Sequence, residues 1–361
     1  MSEVLEKVRQ SHDLPALGCV VFRGDSTLEE AVVGVRKAGD PTPATLDDKF
    51  HIGSLTKSMT ATLAAMLVAD GRLRWDSTTE QILGSAVPNI DPAYRAVTLR
   101  QWLGHRGGAP HDPPGELWSG LWARNGQPGG GGREWFVSGI LQRPPAQKSG
   151  TFVYSNTGYM IAGLMLEKAA QRPWEEMLRE RVFQPLGLKT AGFGCAASPG
   201  QVDQPWGHVK GKPVPPGPQA DNPSGLGPAG IVHCSLRDLA RYAAFHLREG
   251  KGKPNLLDPA SFAILHRPPP GEAGDSYACG WMRVPRPWAG GEALTHNGCN
   301  TMNYAVIWLA PERDFGLVAA TNEGRAEAGQ ALDEVASAMV AKHCPAAKPA
   351  APAPITPVPG R

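Results

Sequence analysis

The segment Phe50-His51-Ile52-Gly53-Ser54-Leu55-Thr56-Lys57 is followed by an apolar run that ends at Ala69-Asp70-Gly71. Beyond Ser54, apolar side chains recur at helical spacing, at Leu55, Met59, Leu63, Met66 and Leu67. Gly71 stands where a helix ends readily in the left-handed conformation. The pattern therefore predicts a helix that begins at Ser54 and ends at Gly71.

Ser54 and Lys57 are three residues apart, so they share one face of this helix and the hydroxyl can meet the amine. The first turn of a helix offers free N–H groups and the positive end of its dipole, which favour the alkoxide and the neutral amine. A serine beside a lysine can then be a nucleophile beside its base. Because the motif is short, an N-cap serine next to a solvated lysine stays open as the alternative.

The composition indicates a folded protein with long loops. Of 361 residues, 43 are glycine and 35 are proline, while 41% are hydrophobic. A chain of this length can bury a substantial core. The net charge of +2 gives no electrostatic reason to bind nucleic acid or an anionic membrane. No apolar run reaches the roughly 18 residues of a membrane-spanning helix, so no transmembrane segment is expected.

The start of the chain, Met1-Ser2-Glu3-Val4-Leu5-Glu6-Lys7-Val8, is an amphipathic helix pattern without the apolar stretch of a signal peptide. As written, the sequence predicts a cytoplasmic protein, and a periplasmic or secreted one if the start is truncated. The cysteines are widely spaced and include no C-x-x-C pair, which predicts free or buried thiols. They are Cys19, Cys195, Cys234, Cys279, Cys299 and Cys344. We expect no metal and no cofactor.

Strands are predicted at both ends of the chain. Residues 18–23 and 30–35 form a predicted hairpin, and three further strands are predicted at residues 293–296, 304–309 and 315–320. A final helix is predicted over residues 327–341. The expected fold class is α+β, with one antiparallel sheet built from both chain termini, flanked by helices, plus a mainly α-helical domain.

The middle of the chain has helical patterns at residues 98–103 and 157–170, whereas residues 210–228 are predicted to be a surface loop because they are polar and rich in proline. We expect a single unit over residues 1–343. Its α/β part spans about 1–70 and 228–343, and its helical part about 71–227. Residues 344–361 are expected to be a disordered Pro/Ala-rich tail.

Two further motifs stand where the sheet and the helical part are expected to meet. Tyr154-Ser155-Asn156 places two polar side chains two residues apart, so in an extended loop both can enter one cleft. His296-Asn297-Gly298 ends a predicted strand, and its glycine allows a ligand to approach the backbone.

Together with Ser54 and Lys57, in this order, the motifs resemble the serine β-lactamase and D,D-peptidase superfamily, specifically its class C branch. That branch contains class C β-lactamases, D-alanyl-D-alanine carboxypeptidases, D-aminopeptidases and β-lactamase-like esterases. The resemblance runs from about Leu14 to Asn322. It includes the phrases Phe50-His51-Ile52-Gly53-Ser54, Thr98-Leu99-Arg100-Gln101-Trp102-Leu103, Gly150 through Tyr159, Pro185-Leu186-Gly187-Leu188, Pro228-Ala229-Gly230 and Gly280-Trp281.

The resemblance implies a role for each motif. Ser54 would attack a carbonyl carbon and form an acyl-enzyme, and Lys57, neutral in the resting site, would take or relay the serine proton. Tyr154 would pass a proton to the leaving group, while Asn156 would orient Lys57 and the substrate. Whether Lys57 or Tyr154 is the formal base stays open. The oxyanion hole would be the backbone N–H groups of Ser54 and Cys299.

The sequence departs from the family pattern in two places. Class C β-lactamases begin the third motif with a lysine that receives the substrate carboxylate, whereas this chain has His296, followed by Asn297 and Gly298 as substrate-binding residues. A histidine is mostly neutral at pH 7 and is a weaker anchor for an anion, which resembles the esterase and peptidase members. Arg106 replaces a threonine near the expected rim of the cleft, where it either serves an acidic substrate group or is a solvated loop residue.

Other histidines and the tryptophans allow simpler interpretations. His51, His208 and His233 lack metal-binding spacing and are read as packing or hydrogen-bonding residues. Trp118, Trp122, Trp206 and Trp281 are candidates for an acyl pocket, with core filling as the alternative for at least half of them.

These observations predict a metal-independent serine hydrolase that acts on small-molecule esters or amides. A β-lactamase, a D-Ala-D-Ala carboxypeptidase or a D-aminopeptidase, acting on β-lactams or peptides, remains an alternative. The alternative from another class is a catalytically silent relative that binds penicillin-like molecules or peptides.

Overall fold

Both ends of the chain contribute strands to one antiparallel sheet. The computed structural model describes residues 1–249, 251, 256–269 and 276–345. In chain order the strands are β1 (Ala16–Arg23), β2 (Ser26–Gly34), β3 (Phe50–His51), β4 (Gly192–Phe193), β5 (His208–Val209), β6 (Lys212–Pro213), β7 (Val232–Cys234), β8 (Met282–Arg286), β9 (Gly291–Cys299), β10 (Tyr304–Ala310) and β11 (Phe315–Thr321). The large sheet has the order β2-β1-β11-β10-β9-β8. The predicted α+β fold is confirmed.

Helices cover both faces of this sheet and fill the middle of the chain. They are α1 (Ser2–Ser11), α2 (Thr56–Ala69), α3 (Thr79–Leu83), α4 (Pro92–Arg95), α5 (Leu99–Leu103), α6 (Gly115–Trp122), α7 (Arg133–Leu141), α8 (Asn156–Ala170), α9 (Trp174–Leu178), α10 (Gly227–Gly230), α11 (Leu236–Leu247), α12 (Pro259–His266) and α13 (Ala326–His343). Along β1, Cys19 and Val21 pack with α1 and α13, while Val20 and Phe22 join the core around α2. This alternation follows from the period of two in a strand.

The Ser54 helix lies at the centre of the molecule. A 3₁₀ turn over Gly53–Leu55 leads into α2, and every α2 residue from Thr56 to Leu67 is buried. Gly71 has a φ of 71°, the left-handed conformation expected just beyond a helix C-terminus. A helix buried all round is held by packing rather than by its intrinsic propensity. The predicted helix is therefore confirmed, with its first turn in the 3₁₀ form.

The segment predicted to be a surface loop, residues 210–228, is only partly one. It contains β6 and then turns inward, so that Ala220, Asp221 and Leu226 are buried. Proline and glycine provide the turns of this segment but do not keep it in solvent. The prediction of a surface loop is wrong for residues 220–228, which reach the centre of the molecule.

Two other expectations concern the cysteines and the tail. All six cysteines are free, as predicted. The predicted disorder of residues 344–361 falls, from residue 346 onward, outside the described residues. The division into an α/β part and a helical part stays a prediction. In the described ranges no helix is long and apolar enough to cross a membrane.

A pair of buried histidines connects α11 and α12 to α2. His246 Nδ1 lies 2.9 Å from His266 Nε2, and His246 Nε2 lies 3.1 Å from the hydroxyl of Thr62 on α2. On the outer side, His266 Nδ1 lies 3.1 Å from a carboxylate oxygen of Glu249. Burial lowers the pKa of both histidines below the ordinary value.

This pair should make the protein less stable in acid. A histidine in the unfolded chain binds a proton near pH 6.5, whereas the folded chain resists protonation at these positions. The free energy of unfolding should therefore fall as the pH drops below about 6.5, by up to about 1.4 kcal/mol per pH unit for each histidine. Thermal unfolding of the wild type and of His246→Gln between pH 7.5 and 5 measures it. Equal pH slopes in the two proteins would contradict this prediction.

Candidate active site

Ser54 and Lys57 are in direct contact. The Lys57 Nζ lies 2.8 Å from the Ser54 Oγ, and the Lys57 side chain is fully buried. Burial lowers the pKa of Lys57 well below its ordinary value, because the charged ammonium is poorly solvated there. No acidic side chain contributes to this shift. The neutral amine is therefore more accessible at Lys57 than at an exposed lysine.

The other partners of Lys57 determine how its nitrogen is oriented. Nζ lies 2.7 Å from Asn156 Oδ1 and 2.8 Å from the carbonyl oxygen of Ala229, and both oxygens accept hydrogen bonds. A neutral amine has two hydrogens and one lone pair. In the ammonium form, Lys57 donates to all three oxygens, including Ser54 Oγ at 2.8 Å. In the neutral form, two hydrogens can go to Asn156 and Ala229, which leaves the lone pair for the Ser54 proton.

The loop before α8 delivers Tyr154 and Asn156. Ser155 is the N-cap of α8, with its Oγ 3.2 Å from the N–H of Gly158, and its own N–H donates to Nδ1 of His105 at 3.1 Å. This cap fixes the direction of the residues on each side. Asn156 thus begins the helix and faces Lys57, while Tyr154 stays outside it.

Tyr154 contacts Ser54 from another direction. Burial raises the pKa of Tyr154 to about 12, and the interaction of its hydroxyl with the Ser54 side chain opposes this shift in part. The phenol therefore keeps its proton at neutral pH. The ring packs against His105, with centroids 4.3 Å apart. Burial also keeps the pKa of His105 well below its ordinary value, so this neighbour is neutral.

Strand β9 brings the third motif against the Ser54 turn. A Cβ on Gly298 would lie 2.6 Å from the Ser54 nitrogen, and a Cβ on Gly53 would lie 2.5 Å from the Cys299 nitrogen. Only glycine allows these two backbones to come so close, and Gly53 also has a φ of 51°. The nitrogens of Ser54 and Cys299, the two predicted oxyanion donors, consequently lie near each other.

His296 does not face the cleft. Its ring is 3% exposed, with Nε2 3.1 Å from the hydroxyl of Tyr277 and Nδ1 2.6 Å from the backbone oxygen of Asn297. Burial lowers the pKa of His296 to about 3. The side chain of Asn297 is exposed and donates to the Tyr304 hydroxyl at 2.5 Å. Of the third motif, Gly298 and Cys299 approach Ser54 most closely, through their backbones.

Arg106 is buried, so both interpretations of this residue are wrong. It is 3% exposed, and its Nη1 donates to the backbone oxygens of Gly104 at 3.0 Å and Tyr277 at 3.4 Å. Its guanidinium also lies 5.6 Å from the ring of Phe152. The loop after α5 folds inward, and Arg106 supports it rather than the rim of a cleft.

A cavity of about 410 Å³ opens beside Ser54. Its polar lining includes the side chains of Asn156, Asn222 and Asn300. Its apolar lining includes Trp118, Phe136, Met160 and Leu226. Sequence reasoning missed Asn222 and Asn300, because neither belongs to a motif. The phrase Pro228-Ala229-Gly230 was the nearest signal, since it lies on the same buried segment as Asn222.

Of the four candidate tryptophans, some lie at the cavity and others fill the core. Trp118 lines the cavity. Trp206 and Trp281 are buried and are absent from the cavity lining, and Trp122 packs edge-on against Trp118 with ring centroids 6.2 Å apart.

The three histidines predicted to be packing or hydrogen-bonding residues, His51, His208 and His233, form hydrogen bonds with backbone groups. His51 Nδ1 accepts from the N–H of Gly53 at 3.0 Å, and His51 Nε2 lies 2.8 Å from a carboxylate oxygen of Asp221. His208 and His233 each contact a backbone oxygen, at 2.7 and 2.8 Å. Within the described ranges no cluster of His, Cys, Asp and Glu could hold a metal ion.

The sheet built from both chain ends, with a Ser-x-x-Lys helix buried beneath its edge, defines a β-lactamase/transpeptidase-like fold. A solved class C β-lactamase from Rhodobacter sphaeroides shares this fold, with a TM-score of 0.74 at 20% identity over 94% of this chain and 99% of that one. The chain belongs to the beta-lactamase family, whose model matches residues 1–340.

Two curated relatives illustrate the family's range. Penicillin-binding protein 4 of Amycolatopsis lactamdurans is 30% identical over 336 residues, covering 89% of this chain and 84% of that protein. Lovastatin esterase of Penicillium rubens is 26% identical over 174 residues, covering 43% of this chain and 42% of that protein. The relatives thus include penicillin-binding and esterase members.

Proposed function

We propose that the protein is a serine hydrolase that cleaves small esters or amides through an acyl-enzyme on Ser54. The observation that carries the proposal is the contact between Lys57 Nζ and Ser54 Oγ at 2.8 Å, made by a buried nitrogen that also has Asn156 Oδ1 and the Ala229 carbonyl oxygen as acceptors. A buried neutral amine in contact with a hydroxyl is a general base in position.

In the first step, Lys57 Nζ takes the Ser54 proton while Ser54 Oγ bonds to the substrate carbonyl carbon. The negative charge that develops on the carbonyl oxygen is stabilised by the N–H groups of Ser54 and Cys299. Tyr154, which is protonated because its pKa is raised, donates its proton to the leaving group as the carbon–heteroatom bond breaks. Lys57 then returns its proton to Tyr154, directly or through water.

In the second step, a water molecule replaces the leaving group. It loses a proton to Lys57 as it attacks the acyl carbon, and Lys57 passes this proton to Ser54 Oγ as the bond between Oγ and the acyl carbon breaks and the acid leaves. The raised pKa of Tyr154 assigns it the acid role in the first step and leaves Lys57 as the base.

The charges around Ser54 favour substrates without a carboxylate. His296 is buried and neutral, both of its nitrogens contact groups of this chain, and Arg106 is also buried. No lysine or arginine lines the cavity in the described part of the chain. A carboxylate next to the scissile bond, as in β-lactams and D-Ala-D-Ala peptides, would lack a cationic partner. The name of the Penicillium rubens relative, an esterase, agrees with this preference.

A catalytically silent binding protein is the rival from another class. A fluorophosphonate probe separates the two, because only an activated serine reacts with it. We expect labelling of the wild type and of Ser119→Ala, a matched control on the exposed side of α6, but not of Ser54→Ala. A wild type that is not labelled would overturn the proposal.

Cys299 should act through its backbone, so its thiol should be replaceable. The Sγ accepts from the N–H of Thr301 at 3.1 Å and donates to the backbone oxygen of Gly324 at 3.4 Å, and a serine hydroxyl can do both. We expect Cys299→Ser to hydrolyse p-nitrophenyl acetate at close to the wild-type rate. A loss as large as that of Ser54→Ala would mean that the thiol takes part in the chemistry.

A further inference from the structure

The cavity beside Ser54 is placed to receive one particular half of the substrate; this inference rests on the proposed function. The cavity is lined by Ser54, Asn156 and Cys299, but not by Tyr154, the residue proposed to protonate the leaving group. The leaving group must therefore lie toward Tyr154. The group that stays on the acyl carbon is then directed into the cavity.

The cavity has both polar and apolar lining residues. The amides are those of Asn156, Asn222 and Asn300. The large apolar side chains are Trp118, Phe136, Met160 and Leu226, of which the last three are buried. The volume of about 410 Å³ is that of a small-molecule site rather than of a packing defect.

The cavity has no lysine or arginine among its described lining residues. Asp112, 91% exposed, lies in the lining with His111, whose Nδ1 is 3.0 Å from Asp112 Oδ1. Asp221 contacts two of the lining asparagines, and its Oδ1 accepts from the N–H of Asn222 at 2.6 Å and from Nδ2 of Asn300 at 3.3 Å. Lys57 lies next to Ser54, and burial disfavours its charged form. An anionic group in this cavity would lose its water and gain no lysine or arginine among the described lining residues, which is unfavourable.

We propose that the cavity binds the acyl group of the substrate, and that this group is an uncharged apolar chain or ring larger than acetyl. The apolar lining residues Trp118, Phe136, Met160 and Leu226 remove such a group from water. The protein then selects its substrates by the acyl half, against both short and anionic acyl groups.

Three p-nitrophenyl esters test the proposal: the acetate, the hexanoate, and the monoester of adipic acid, which is hexanoate with a terminal carboxylate. With spontaneous hydrolysis and the Ser54→Ala blank subtracted, we expect kcat/KM for hexanoate to exceed that for acetate by roughly 10-fold or more. The adipate monoester should be slower than hexanoate by a similar factor. Equal values for the three esters would overturn the proposal and leave the serine hydrolase assignment intact.

Two tryptophan variants link the selectivity to this cavity. Trp118→Ala removes part of the wall, whereas Trp135→Ala makes the same change at a 38% exposed side chain that does not line the cavity. We expect the hexanoate-to-acetate ratio to fall severalfold in Trp118→Ala and to stay unchanged in Trp135→Ala. An equal ratio in wild type and Trp118→Ala would contradict the assignment to this cavity.

A binding measurement separates failure of this inference from failure of the proposed function. Hexanamide, acetamide and the monoamide of adipic acid are titrated against Ser54→Ala by ligand-observed NMR. If no ester is turned over in a Ser54-dependent manner, the hydrolase proposal fails. The binding of the three amides then tests the preference of the cavity on its own. Tighter binding of hexanamide than of the other two supports it, and equal or absent binding overturns it.

Discussion

Lys57→Met should lower kcat/KM for a p-nitrophenyl ester by about 10³-fold or more, because it removes the base that takes the Ser54 proton. Methionine nearly keeps the volume of the lysine side chain, so little cavity is left in the buried start of α2. The variant leaves two acceptors, Asn156 Oδ1 and the Ala229 carbonyl, without their donor. That loss should cost about 1–3 kcal/mol of stability for each buried acceptor.

The measurement is steady-state hydrolysis beside thermal unfolding of the same preparations. Lys168→Met is the matched control, since Lys168 is a partly exposed lysine of α8 whose partner is Glu134. We expect this control to keep the wild-type rate. A Lys57→Met protein that is folded and hydrolyses the ester at the wild-type rate would remove Lys57 from the mechanism.

The fold could be predicted where the signal is local. The apolar spacing after Ser54 and the glycine at position 71 are enough to place α2, because a buried helix repeats its pattern over several turns. The alternating strands at both chain ends likewise predict the sheet. Asn156 was predicted as a site residue from the short motif Tyr154-Ser155-Asn156, because residues two apart in an extended loop point the same way.

What could not be predicted depends on tertiary packing. Whether His296 faces the cleft depends on Tyr277, which lies 19 residues earlier in the sequence. The hydroxyl of Tyr277 lies within hydrogen-bond distance of Nε2 of the His296 ring. Arg106 is buried because backbone oxygens of Gly104 and Tyr277 accept its hydrogens. A polar, proline-rich composition predicts exposure for residues 220–228, although β7 pairs with β3 and draws this segment beneath Ser54.

The packing around His296 suits a neutral side chain better than the lysine of the family's third motif. The buried face that holds His296 is made of aromatic rings, with Tyr154 and Tyr277 both near the imidazole. A charged lysine at this position would be unpaired among the described neighbours of that ring. The neutral His296 fits among these rings, and we propose that selectivity comes from the cavity beside Ser54.

Asn156→Asp should convert Lys57 from a base into an ammonium ion. The change replaces an amide by a carboxylate of the same shape, with an oxygen 2.7 Å from Lys57 Nζ. An opposite charge at this distance favours the ammonium and raises the pKa of Lys57. Below that raised pKa the lysine has no lone pair for the Ser54 proton, so kcat/KM at pH 7 should fall by about 100-fold.

The sign of the pH dependence makes this prediction specific. As the pH rises through the raised pKa, Lys57 loses its extra proton and its lone pair again faces Ser54, so the activity of Asn156→Asp should recover toward alkaline pH. A structural defect would lower the rate at every pH instead. Profiles of kcat/KM from pH 6 to 10, with the Ser54→Ala blank subtracted, distinguish the two. Asn89→Asp is the matched control, because Asn89 is exposed, does not line the cavity and is not a hydrogen-bond partner of Lys57. It should keep the wild-type profile, and a wild-type profile for Asn156→Asp would mean that the charge state of Lys57 does not limit the reaction.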